Sequence, residues 1–144
     1  MGADGIAMGT RFLLTAESPV PRETLDRYFA AGITDVVVST AVDGLPHRII
    51  RNEFLDRLER GNPVSRLGRA LASGLAYRKM SGAGVTELLR SALAMRRGEK
   101  LTRTQTLMAA NAPVFIRRAM VEGRPSEGVL PSGQVAGLIE DLPG

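Results

Sequence analysis

The chain has 144 residues, 44% of them apolar and 24% charged, with a formal net charge of +4. This is the size and composition of a single folded domain with a real core, which excludes a disordered chain. With no cysteine and one histidine, disulfides, thiolate metal sites, a cysteine nucleophile and a two-histidine metal centre within one chain are excluded as well. Along the chain, Ile6-Ala7-Met8 is a short apolar run that predicts a buried strand ending at Gly9-Thr10. Thr10 is then expected to cap a helix over Arg11 to about Ala16. A second helix is predicted from Arg22 to about Ala31, with Leu25, Tyr28 and Phe29 inward and Gly32 as its stop. Val36-Val37-Val38 lies inside a strand predicted over Thr34–Thr40 and buried on both faces. Asp43-Gly44 marks a turn, after which Leu45–Ile50 returns as an extended segment. Asn52 is placed to cap a helix over Glu53–Arg60, with Phe54, Leu55 and Leu58 inward.

The second half reads as mostly helical. Helices are predicted over Ser65–Arg78, Thr86–Arg97 and Thr104–Met120, the last kinked or split by Pro113. A short helix over Gln134–Asp141 follows Ser132-Gly133. Charge is uneven: residues 1–60 hold 7 Arg against 9 Asp/Glu, and residues 61–144 hold 12 Lys/Arg against 6. The densest basic cluster is Arg96, Arg97, Lys100 and Arg103, either a solvated helix end or a clamp for the phosphates of a CoA or carrier thioester. No helix-turn-helix, zinc or RNA-binding signature accompanies it, so no nucleic-acid partner is expected. No apolar run reaches the roughly 18 residues that suggest a membrane helix. The N-terminus has no signal-peptide pattern, and with the lack of cysteine this fits the cytoplasm.

Two segments point to chemistry. Gly2-Ala3-Asp4-Gly5-Ile6-Ala7-Met8-Gly9-Thr10-Arg11-Phe12 has the pattern strand, glycine turn, helix start, which aims backbone N–H groups at one spot and suits a phosphate. The same pattern also serves as a plain helix cap. Ser132-Gly133-Gln134 reads equally as a cap and first turn or as part of a ligand site through Gln134. His47 follows Pro46 in a loop-like stretch and is expected to be structural rather than catalytic.

The segment GADGIAMGTRF resembles the GADGVQMGTRF-type segment of the nitronate monooxygenase (2-nitropropane dioxygenase) family, which related flavin-dependent enoyl thioester reductases share. Two further stretches match that family in order and spacing. One is Asp35–Thr40 with Gly44-Leu45-Pro46-His47-Arg48 and Asn52; the other is Glu127 through Ile139, containing Gly133-Gln134 and Ala136-Gly137-Leu138-Ile139. The resemblance implies an α/β chain that is the C-terminal part of a TIM-barrel flavoenzyme. Residues 1–32 would be the last barrel strand, the FMN phosphate loop and the following helices; residues 33–144 would be a smaller, mainly helical domain with short strands. Ala7, Met8, Gly9 and Thr10 match the stretch that holds the FMN phosphate, with Ala7 in place of the commoner Gln; Gln134 would lie beside the flavin. The family's catalytic His lies upstream of this segment, so no catalytic residue and no metal ligand are assigned here. The reaction implied is oxidation of alkyl nitronates with O2 to a carbonyl compound and nitrite. The alternatives are NAD(P)H-dependent reduction of an unsaturated CoA or carrier thioester, and a non-catalytic interaction domain. A barrel of this kind takes roughly 250 residues, so the chain is expected to act with an upstream half or as a homo-oligomer, and to be inactive alone.

Overall fold

The computed structural model describes residues 2, 4–5, 8–82, 84, 86–87, 90, 93–94, 103–141 and 143. Among these, six α-helices and one β-hairpin follow in order: α1 (Thr10–Leu13), α2 (Arg22–Phe29), β1 (Val36–Ser39), β2 (His47–Ile50), α3 (Glu53–Glu59), α4 (Pro63–Ser81), α5 (Arg103–Met108) and α6 (Asn111–Met120). Single 3-10 turns at Ile33–Asp35 and Ala136–Leu138 complete the set. The predicted helix over Thr86–Arg97 lies mostly outside the described residues.

The hairpin is antiparallel, pairing Val36 with Ile50, Val37 with Ile49, Val38 with Arg48 and Ser39 with His47. On its other side β2 meets the C-terminal segment. Ile49 bridges Pro131, the Ile50 amide donates to the Leu130 carbonyl at 3.0 Å, and the Ser132 amide donates to the Arg48 carbonyl at 3.0 Å. So β2, not β1, is the central strand. Ile49 and Ile50 point to opposite faces of the pleat, and both are 1% exposed. Ile50 joins one apolar cluster with Leu14, Leu25, Tyr28, Ala119 and Leu130. Ile49 joins another with Val42, Leu55, Leu58, Val114, Phe115 and Val129. The expectation that the triple-valine strand is buried on both faces is corrected: β1 is an edge strand and Val38 is exposed. The β-branched run set the backbone conformation, and the pairing order set the burial.

Local signals account for the helices. Asn52 caps α3 as expected, its Oδ1 accepting from the Leu55 amide at 2.8 Å. Its Nδ2 donates to the carbonyls of Pro125 and Gly128 at 2.8 and 3.0 Å, tying α3 to the chain after α6. Asn62 caps α4 through the Ser65 amide, and α4 runs longer at both ends than predicted. The helical stretch near Pro113 is split, with the break at Ala109-Ala110. Pro113 sits in the first turn of α6, where no intrahelical N–H bond is lost. Gly32 does not stop α2 in a left-handed turn; α2 ends at Phe29 with Ala30 as its cap residue.

Candidate functional site

Two segments predicted to carry the site, far apart in sequence, meet in the fold. The third-strand pairing of residues 130–132 with β2 delivers Ser132 and Gly133 to the start of α1. There the Gly133 amide donates to the Thr10 hydroxyl at 2.6 Å, and Thr10 is 8% exposed. Thr10 therefore does not cap α1. The cap position is Gly9, with no side-chain cap bond, and α1 ends at Leu13 rather than Ala16. The hydroxyl serves a long-range contact instead, because Gly133 brings it a competing donor.

The chain beyond Gly133 stays on this side of the molecule. The predicted helix over Gln134–Asp141 is only the 3-10 turn Ala136–Leu138. Gly137 packs against Gly32 so closely that a Cβ would collide with the Gly32 backbone. Arg11 then holds the tail through Asp141, its two guanidinium nitrogens reaching the carboxylate at 2.8 and 3.2 Å. That pairing holds the Asp141 carboxyl below its usual range, chiefly through the hydrogen bond from Arg11. The Ala16 amide donates to the Pro143 carbonyl at 2.9 Å. Below this, the buried Tyr28 hydroxyl donates to the Pro131 carbonyl at 2.5 Å, fixing the segment that carries Ser132. Burial pushes the Tyr28 phenol well above its ordinary range, so it acts as a donor at any physiological pH.

The fit of this corner to a flavin phosphate can be judged from its groups. Among the described residues a Cβ at Gly9 would meet nothing within 4 Å, so they leave open space beside that backbone. The first-turn amides of α1 have no intrahelical acceptor. Thr10 accepts from Gly133 and retains its own O–H to donate. Ser132 Oγ is buried and, among the described residues, has no hydrogen-bond partner; it did not stand out in sequence because Ser132 reads as a helix cap. Met8 and Gln134 are exposed on the two segments that meet. Ala7 and most of the predicted strand over Ile6-Ala7-Met8 lie outside the described residues; Met8 itself is not in a strand. With four residues, α1 has little dipole, so amide and hydroxyl donors rather than a helix field would hold an anion.

His47 belongs to another corner. Its Nε2 is 2.8 Å from Asp43 Oδ1, which also accepts from the Leu45 amide, so the pair braces the turn between β1 and β2. Among the described residues no cluster of His, Cys, Asp and Glu could hold a metal, and no helix is long and apolar enough to cross a membrane. Of the basic cluster read from sequence, Arg96, Arg97 and Lys100 lie outside the described residues.

The profile of the nitronate monooxygenase family matches residues 1–144, the whole chain. The chain belongs to the nitronate monooxygenase family. It is 46% identical over 142 residues to the (3aS,4S,5R,7aS)-5-hydroxy-7a-methyl-1-oxo-octahydro-1H-indene-4-carboxyl-CoA dehydrogenase of Mycobacterium tuberculosis, and 42% identical to the protein of that name from Rhodococcus jostii. Each match covers 99% of this chain and 40% of the relative, so the chain spans about 40% of the length of the curated relatives it matches. Among solved structures it is similar to FabK from Thermotoga maritima, with a TM-score of 0.55 at 26% identity over 99% of this chain and 33% of that one. Members of this nitronate monooxygenase family are flavin-dependent oxidoreductases.

Proposed function

We propose that this chain is the flavin-phosphate-binding part of an FMN-dependent TIM-barrel oxidoreductase that acts on a CoA thioester. The observation that carries the flavin site is the meeting of Gly9-Thr10 with Ser132-Gly133 around the 2.6 Å Gly133–Thr10 bond. It brings the segment that carries the buried Ser132 hydroxyl against Thr10, next to the first-turn amides of α1 and the space that the described residues leave open at Gly9. Met8, Gly9 and Thr10 would hold the phosphate, together with Ala7, and Gln134 would lie at the rim, as the family resemblance implies. When bound, FMN supplies two-electron redox chemistry. The chain's own part is to anchor the phosphate and fix the isoalloxazine's position from that anchor. The exposed Met8, Phe12, Val135 and Leu138 are the surface on which the upstream portion carried by the relatives would close.

The thioester reading is supported by the two CoA-thioester dehydrogenases, which match nearly the full chain at 42–46% identity. The second reading is oxidation of an alkyl nitronate with O2 to a carbonyl compound and nitrite, favoured by the family profile. One experiment separates them. The complete polypeptide carrying this segment is loaded with FMN and assayed for thioester-dependent flavin redox change and for nitronate-dependent O2 uptake. Thioester turnover without nitronate turnover is the expected result; the reverse would replace the first reading by the second.

A further inference from the structure

We propose that the cleft between α4 and α6 binds the phosphate-bearing end of a CoA thioester. This inference rests on the thioester reading above and adds a second site to it. The cleft has a volume of about 430 Å³ and is lined by Lys79 and Met80 of α4, Val114, Arg117 and Arg118 of α6, and Arg124 beyond it. Ala76 and Glu122 complete the wall. Four cations thus border one cleft. Against them stand Glu122 and, outside the lining, Glu127, so two positive charges remain in excess.

Two of the four cations, Arg117 and Arg124, are held in place by carboxylates. Glu122 accepts from Arg117 Nε at 3.3 Å and also from Arg124, fixing both guanidinium groups over the opening. Arg124 is held from its other side by Glu127 at 3.0 Å. Arg118 lies over the Phe115 ring, 5.7 Å from its centroid. Among the described residues neither Lys79 nor Arg118 has an ion-pair partner. Guanidinium donors suit phosphate oxygens. The apolar wall of Ala76, Met80 and Val114 suits the non-ionic part of the same ligand. A second groove of about 410 Å³ shares Lys79 and continues past Leu75 to Gly82 and Gly84, giving an elongated ligand room. CoA carries its phosphates at the end remote from the thioester carbon, so its anchor need not adjoin the flavin corner.

The test is calorimetric titration of the complete polypeptide carrying this segment with CoA, dephospho-CoA and inorganic pyrophosphate at low salt, for the wild type and the Lys79→Gln/Arg118→Gln double variant. Neither side chain makes an ion pair among the described residues, so the double variant should fold, with its melting temperature lowered at most slightly by the lost Arg118–Phe115 contact. CoA is expected to bind, more tightly than dephospho-CoA, with affinity falling as salt rises and at least about tenfold weaker in the double variant. No CoA binding by the wild type, or equal affinity in the double variant, overturns the proposal. Pyrophosphate binding as tightly as CoA would also overturn it, leaving a general anion site. The thioester reading fails separately: CoA binding lost in the double variant, with no thioester turnover by the complete enzyme, would keep the site and discard that reading. Turnover with KM unchanged in the double variant would do the opposite.

Discussion

Thr10 shows how one hydroxyl joins the two ends of the chain. Its oxygen receives the Gly133 amide in a nearly buried setting, so Thr10→Val keeps the shape and strands that donor. The expected cost is about 1–3 kcal/mol in urea denaturation, and an unchanged midpoint would mean the contact contributes nothing. Tyr28 does similar work beneath the site, where its phenol donates to Pro131. Gly9 is the opposite case. No left-handed backbone requires glycine there, and a Cβ would touch nothing among the described residues, so substitution should spare the fold and act only on a ligand. Gly9 and Thr10 stood out in sequence because a glycine-hydroxyl turn before a helix start can aim donors at a phosphate, although it can also serve as a plain cap. That Thr10 would not be the cap was not legible, since its partner Gly133 is 123 residues away.

At the scale of elements, Asn52 and Gly128 make one joint. Asn52 caps α3 and donates to Pro125 and Gly128, while a Cβ on Gly128 would collide with the Phe115 carbonyl and the Ala119 amide of α6. Asn52→Ala removes a cap and leaves one buried carbonyl (Gly128) and one half-buried carbonyl (Pro125) without their donor, so a loss of about 2–3 kcal/mol is expected in thermal or urea unfolding. Asn52→Asp should recover the cap but not the donors. The Asn52 cap, the turn at Asp43-Gly44 and a division close to Pro113 (it falls at Ala109-Ala110) were readable because each rests on residues within a few positions. The central place of β2 was not: it depends on pairing with residues 130–132, and a run such as Val36-Val37-Val38 looks the same on an edge as in the middle. The C-terminal helix was misread for a related reason. Gly137 is held against Gly32 by tertiary contact, which allows only a single 3-10 turn.

For the molecule as a whole, the two ends are clasped by Arg11–Asp141, and the chain after α6 is braced by Glu122 between Arg117 and Arg124. Both carboxyls are held below their ordinary range, mainly by hydrogen bonds from Arg11 to Asp141 and from Arg124 to Glu122. A depressed folded-state carboxyl stabilises above its unfolded value, and that contribution is lost as pH falls through the folded one. Asp141→Asn/Glu122→Gln is therefore expected to lower stability slightly at pH 7 and to flatten its decline below about pH 4, read as melting temperature against pH. A decline parallel to the wild type would show that neither pair contributes. The family was legible because its motifs span nearly the whole chain in order. The cationic cleft was not, because in the sequence its residues are scattered between Lys79 on α4 and Arg117–Arg124 on and after α6.

The most direct test of the account is the affinity of the complete polypeptide carrying this segment for FMN and for riboflavin, in the wild type and in Gly9→Val. If residues 8–10 hold the flavin phosphate, the wild type prefers FMN by at least about tenfold, a modest return for a charged group held by several donors. The Gly9→Val variant then loses that preference while binding riboflavin as before and melting at the same temperature. FMN affinity unchanged by the substitution would contradict the assignment of the phosphate to this loop.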